Sequence, residues 1–227
     1  MPKDTFFRLD EAKRRKIMEA ARREFSDVPL HEASIANIVK YAEIPRGSFY
    51  QYFTDKEDLF FYYFDSVHKE TEDSLQRLLR EEKGNLFSTF QKYAEVLLND
   101  ILYGPNSDFL RNFFYHMNYS RTNRIAPFTD EQLKKTERPH RFHHAHQSNH
   151  QTLLENVDTG NLNITTKREL EVLIRLILSM FLSTINYALK CQKEGQPVEV
   201  SEMLVTFNMK LNWLRHGVEK NKEGEAI

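Results

Sequence analysis

Apolar residues recur three and four positions apart along most of the chain, a spacing that predicts one amphipathic helix after another. From about Asp10 to Phe25, the residues Ile17, Ala20, Ala21 and Phe25 share one stripe, and Lys13 to Lys16 lie in a basic cluster early in the same helix. The stretch 26–33 carries Pro29 and reads as a link. Next comes a pair of short helices in Ser34 to Phe53. Ile35, Ile38 and Val39 give the first a core face, and Phe49 and Phe53, four apart, anchor the second. Arg46, Gly47, Ser48, Tyr50, Gln51 and Tyr52 are left pointing away from the core. Thr54-Asp55-Lys56-Glu57 then reads as a capping box, with the Thr54 hydroxyl and the Glu57 carboxylate satisfying each other's orphan amides. A long helix should follow, carrying Leu59, Phe60, Tyr63, Phe64, Val67, Leu75, Leu78 and Leu79, and stopping near Lys83-Gly84.

Helical spacing continues downstream. Asn85 to Tyr103 ends at Gly104-Pro105, Asn106 to about Tyr119 forms another helix, 120–128 reads as a loop, and Thr129-x-x-Gln132 offers a further start. A second capping box, Thr166-x-x-Glu169, opens an apolar helix through Ile185, and Gly195 and Pro197 separate it from a last helix over Val200 to about Lys220. The fold class expected is all-α: an N-terminal three-helix unit at 1–55, a connecting helix from about 56, and a helical bundle over 56–227. The two terminal helices have apolar faces broad enough to bury one side in their own domain and the other in a second subunit. A homodimer on a four-helix interface is expected; burial within one subunit is the alternative.

Composition narrows the class. With 227 residues, 40% hydrophobic and 12% aromatic, the chain has ample core, and 7 Gly with 7 Pro speak against a loop-rich all-β protein. The N-terminus lacks the apolar stretch of a secretory signal and no run of 18 apolar residues occurs, so a cytoplasmic protein with no membrane partner is expected. Cys191 is the one cysteine, which permits no internal disulfide. A net charge of −1 argues against indiscriminate coating of nucleic acid. Residues 1–56 nevertheless hold 11 Lys and Arg against 9 Asp and Glu, for +2, while the remainder holds 21 against 24, for −3.

The short helix pair carries the most specific chemistry. A support helix followed by a helix that opens with Arg-Gly-Ser and carries two tyrosines fits a helix-turn-helix, whose second helix offers its first residues to base edges and its flanks to phosphate. A surface helix in an ordinary bundle is the plainer reading. The stretch Ile44-Pro45-Arg46-Gly47-Ser48-Phe49-Tyr50-x-Tyr52-Phe53, the first helix ending in Phe25, and Asp55-Lys56-x-x-Leu59 together resemble the TetR family of transcriptional regulators over roughly residues 8–64. The resemblance implies that Ser34 caps the support helix and bonds a phosphate, and that Arg46 and Gly47 read bases. It implies further that Ser48 and Gln51 reach bases or phosphate, that Tyr50 and Tyr52 bind phosphate, and that Lys56 clamps one at a helix N-terminus. Two positions depart from the family pattern. Pro45 replaces a small hydroxyl residue at the start of the recognition helix, where it suits N1. Glu43 stands where Gly is common, at a strain of about 1 kcal/mol if the backbone there is left-handed.

The same resemblance implies a dimer on a palindromic double-stranded DNA operator, released by a small-molecule effector. A repressor answering to an apolar or aromatic compound is expected. Ten aromatics in residues 85–128 form either a filled core or the wall of a ligand cavity, with Phe113, Tyr115 and His116 as candidates. His140, His143, His144, His146 and His150 lie within eleven residues. They read as a polar, partly exposed segment, as a place where His146 or His150 lines the effector cavity, or as ligands for haem or a divalent metal. A haem- or metal-sensing regulator and, more remotely, a His-rich metal carrier are the alternatives. No nucleophile motif, phosphate loop or HExxH pair supports an enzyme.

Overall fold

A computed structural model of the chain describes residues 1–116 and 152–218, and contains helices and no strand among them. The helices are α1 (Asp4–Phe7), α2 (Glu11–Asp27), α3 (Ile35–Tyr41), α4 (Arg46–Tyr52), α5 (Lys56–Glu81), α6 (Leu86–Tyr103), α7 (Ser107–Tyr115), α8 (Lys167–Lys193) and α9 (Val200–Val218). Residues 152–156 are also helical. The expected loop at 120–128, the helix start at Thr129 and the whole histidine cluster, His146 and His150 included, lie outside the described residues.

Two compact units divide the described chain: residues 1–71 with 100–116, and residues 72–99 with 152–218. Both α5 and α6 run from one unit into the other. In the first unit α2 turns Ile17, Ala20, Ala21 and Phe25 inward, as its stripe predicts. Phe25 meets the Phe60 ring edge-on at 5.0 Å, and Phe60 lies 5.5 Å from Phe109 of α7. The Asn112 amide donates to the Phe25 carbonyl at 3.1 Å, tying α7 to the end of α2. Tyr63 donates its hydroxyl to Asn106 Oδ1 at 2.7 Å, and burial pushes its phenol well above the ordinary range.

The second unit closes over Leu79, Leu86, Phe90, Ile174, Ile177, Phe181 and Phe207. Phe181 and Phe207 bring α8 and α9 together, with ring centroids 4.3 Å apart. By length and composition α8 could cross a membrane, yet Leu170, Leu173, Ile174, Ile177 and Phe181 face the core of their own unit, as in the central helix of a globular bundle.

Helix ends follow the residues that make them, with one shift in register. Thr166 and Glu169 form the expected capping box of α8. At α5 Asp55 is the cap in place of Thr54, and the Asp58 carboxylate takes the amide of the residue before the cap, so the expected Thr54–Glu57 box does not form. The Asp58 amide donates to Asp55 Oδ1 at 2.8 Å and the Thr54 amide to Asp58 Oδ2 at 3.0 Å, because the first helical residue is Lys56 and the cap moves with it. Three helices stop in one way, a left-handed residue whose neighbours bond back to the last turn. Glu43 ends α3 at φ 55°, Lys83 ends α5 at φ 53° and Gly195 ends α8 at φ 72°. Each time the following residue's amide reaches five residues back: Ile44 to Val39 at 3.1 Å, Gly84 to Leu79 at 2.9 Å and Gln196 to Cys191 at 2.9 Å. α7 is described to Tyr115, with His116 as its C-cap, and the expected end near Tyr119 lies outside the described residues.

Candidate nucleic-acid interface

The seven residues of α4 have no side-chain cap at their N-terminus, and a helix this short is unstable alone. Phe49 and Phe53 are both 0% exposed, and burying each contributes roughly 1.5–3 kcal/mol, enough to hold one face against the core. The opposite face is left open. Pro45, Arg46, Gly47, Tyr50 and Gln51 are exposed, while Ser48 and Tyr52 are half-buried. A Cβ on Gly47 would meet nothing within 4 Å, so no packing inside the protein demands glycine there. Pro45 sits at the N-cap of α4, one position before N1, and its carbonyl takes the Ser48 amide at 2.9 Å. The helix starts only at Arg46 because Pro45 is extended, with φ −60° and ψ 143°.

Ser34 caps α3, its hydroxyl accepting the Ala36 amide at 3.2 Å. Its own amide donates to Glu24 at 2.7 Å, and Asn37 donates to the same carboxylate oxygen at 3.2 Å. Glu24 is 2% exposed, a buried acid that fastens the start of the support helix to α2. Sequence reasoning passed over it, although its place four residues after Ala20 put it on the apolar stripe. The left-handed turn at Glu43 joins the two helices, as its departure from glycine anticipated. Its carboxylate pairs with Lys16 of α2, which holds it below the usual glutamate range.

Part of the basic cluster on α2 is thus engaged. Lys16 pairs with Glu43, and Lys13 pairs with Asp10 at 3.3 Å. Lys56 is also engaged: its ammonium donates to the His31 and Ala33 carbonyls at 3.0 and 2.9 Å, fixing the α2–α3 loop to the start of α5. An ammonium carries three protons, so one remains for a further acceptor.

Three of the effector candidates lie on α7 or at its end. Phe113 is half-buried and lies against Phe60 and Phe64, with centroids 6.2 and 4.6 Å away. Tyr115 is exposed, and His116 turns its ring edge to His31 of the α2–α3 loop at 6.0 Å. Among the described residues no group of three or more His, Cys, Asp or Glu is arranged to hold a metal ion.

Comparison with known proteins extends the picture. Residues 17–63 match the family described as bacterial regulatory proteins of the tetR family, and residues 85–218 match the tetracyclin repressor-like C-terminal domain. No curated protein sequence matches the chain significantly. Among solved structures, the chain is similar to a TetR family transcription regulator from Marinobacter aquaeolei, at 20% identity and a TM-score of 0.58, covering 93% of this chain and 98% of that one. A TetR family regulator from Chloroflexus aurantiacus is similar at 21% identity and TM-score 0.51, covering 97% and 100%. SmeT, the repressor of the Stenotrophomonas maltophilia multidrug efflux pump SmeDEF, is similar at 13% identity and TM-score 0.60, covering 96% and 94%. The C-terminal match alone takes in more than half of the chain, and with the helix-turn-helix built by α3, the Glu43 turn and α4 it places this protein in the TetR family of DNA-binding transcriptional regulators.

Proposed function

We propose that this protein is a repressor that binds a palindromic operator as a homodimer and is released by a small apolar or aromatic effector. The observation that carries the reading is α4: a helix anchored by two fully buried phenylalanines and open to solvent along Arg46, Gly47, Tyr50 and Gln51. Arg46 forks onto a guanine edge, and Gly47 lets the backbone approach the base pairs. Ser48 and Gln51 reach bases or phosphate. Tyr50, Tyr52, Ser34 and the third Lys56 proton take phosphates, and Pro45 sets where the helix enters the groove. A dimer spaces two such helices about 34–36 Å apart for successive major grooves.

Support for the dimer comes from α8 and α9. Val172, Leu176 and Tyr187 on one, and Val205, Met209 and Trp213 on the other, are large apolar side chains left exposed. Release requires an effector that prefers the conformation whose recognition helices are off that spacing. The continuous α5, which belongs to both units, is the lever in this reading. SmeT, a repressor of an efflux pump, offers a precedent on the same fold. A regulator of genomic DNA works in the bacterial cytoplasm.

The test is a fluorescence-anisotropy titration against the DNA upstream of the protein's own coding region. Wild type should bind with a salt-dependent affinity. Tyr50→Phe and Lys56→Ala should weaken binding to all sequences alike. Arg46→Ala should cost about 1–3 kcal/mol and blur discrimination at one base pair of each half-site. Operator binding by Arg46→Ala as tight as wild type would refute the assignment of α4 as the reading helix.

A further inference from the structure

We infer that the N-terminal arm, residues 3–7, is a positioning element for the recognition helix, acting through Lys3 and Thr5 on the last turn of α4. The last four carbonyls of a helix have no partner within it, and here they are those of Phe49, Tyr50, Gln51 and Tyr52. Phe49 is satisfied by the Phe53 amide at 2.9 Å. The arm takes the other three. Lys3 donates its ammonium to the Tyr50 carbonyl at 2.7 Å and its backbone amide to the Tyr52 carbonyl at 2.8 Å, and the Thr5 hydroxyl donates to the Gln51 carbonyl. A cation at a helix C-terminus also opposes the negative end of the helix dipole.

Phe6 holds the arm in place. It is buried, with its ring 5.1 Å from Phe53, 5.3 Å from Tyr62 and 6.4 Å from Tyr52. The same phenylalanine that anchors α4 from below thus receives the arm as well. α4 has no side-chain cap at its other end, so the side-chain bonds to its terminal backbone groups are those of the arm. Tyr50 and Gln51, whose carbonyls the arm grips, are side chains offered to DNA. The arm therefore governs how sharply α4 discriminates between sequences, an inference that rests on α4 being the reading helix.

The test compares wild type with the double variant Lys3→Met, Thr5→Val, which leaves Phe6 and the core untouched, and with the conservative pair Lys3→Arg, Thr5→Ser. Amide hydrogen exchange of the DNA-free protein is measured at Phe49 to Phe53. Affinity is measured for operator and for scrambled DNA. The double variant should exchange these amides about tenfold faster and lose about tenfold in operator affinity, with a smaller loss on scrambled DNA and a melting temperature lowered by only a few degrees. The conservative pair should restore both properties. Unchanged exchange, operator affinity within twofold of wild type, or equal losses on both DNAs would each overturn the inference; equal losses would mean that Lys3 only meets phosphate. Failure of wild type to bind its operator would count against α4 as the reading helix, and the exchange rates would still decide whether the arm holds the helix.

Discussion

Glu43 is the clearest case of a single residue constrained by its position. The turn between α3 and α4 needs a left-handed residue so that the Glu43 and Ile44 amides can close the end of α3, and glutamate accepts that conformation at about 1 kcal/mol. Its pairing with Lys16 is on the surface and offsets little of this. Comparing Glu43→Gly with Glu43→Ala removes the carboxylate from both and isolates the backbone. The glycine variant should be more stable by about 1 kcal/mol in urea unfolding; equal midpoints would mean the turn is unstrained. The ion pair has its own signature. Lys16 depresses the Glu43 carboxyl in the folded state, so its contribution is present above the unfolded value and fades as pH falls through the folded one. Any gap in melting temperature between wild type and Glu43→Gln should shrink as pH falls below the ordinary glutamate value of about 4.3. A gap that does not shrink in acid would show that the pair is not its cause.

Glycines that end helices differ by what surrounds them, and this belongs to the scale of elements. Gly84 follows α5 at φ 80°, and a Cβ there would lie 2.8 Å from the Asn156 carbonyl oxygen and 2.8 Å from the Asp158 nitrogen, both backbone atoms. The Asp158 amide also donates to the Gly84 carbonyl at 2.9 Å, so the end of α5 is sewn to the stretch after residues 152–156. Gly195 has a similar φ of 72° but nothing within 4 Å. Gly84→Ala should therefore cost about 3 kcal/mol, from strain and a backbone shift together, and Gly195→Ala only about 1 kcal/mol. Equal losses in urea midpoints would show that the close approach at Gly84 is relieved cheaply. Helix α4 is the complementary case, an element with little stability of its own, held by the buried Phe49 and Phe53 while its outer face stays open to solvent.

At the scale of the whole molecule the two units have different work, and the exposed side of α8 and α9 bears on assembly. Trp213 at 66% exposure and Val205 at 69% leave apolar surface in water, a cost that burial against a second subunit would relieve, and such a stripe of large apolar residues is characteristic of an interaction site. Leu176 and Trp213 also line a shared groove with Met180 and Leu214. Leu176→Glu with Trp213→Glu should yield a monomer by light scattering and lose high-affinity operator binding, while the melting curve of the subunit core persists. A dimer surviving both charges would place the interface elsewhere.

Much of this architecture was legible in the order of residues because it depends on short-range chemistry. The period of Ile17, Ala20, Ala21 and Phe25, the cap at Ser34, the box at Thr166 and Glu169, and the Phe49–Phe53 anchor each join residues at most eight positions apart, where helix geometry alone decides who meets whom. The exposed face of α4 follows from the same arithmetic. Tertiary structure alone decided the rest. Lys3 and Thr5 reach carbonyls 47 and 46 positions away, Glu24 finds Ser34 across a link, and Lys56 turns back to the loop before α3. In each of these bonds one partner is a backbone carbonyl or amide, which pairs without regard to the side chain it carries, so no pattern of residue types announces them. They form only when burial of Phe6, Phe25 and Phe53 has brought the elements together.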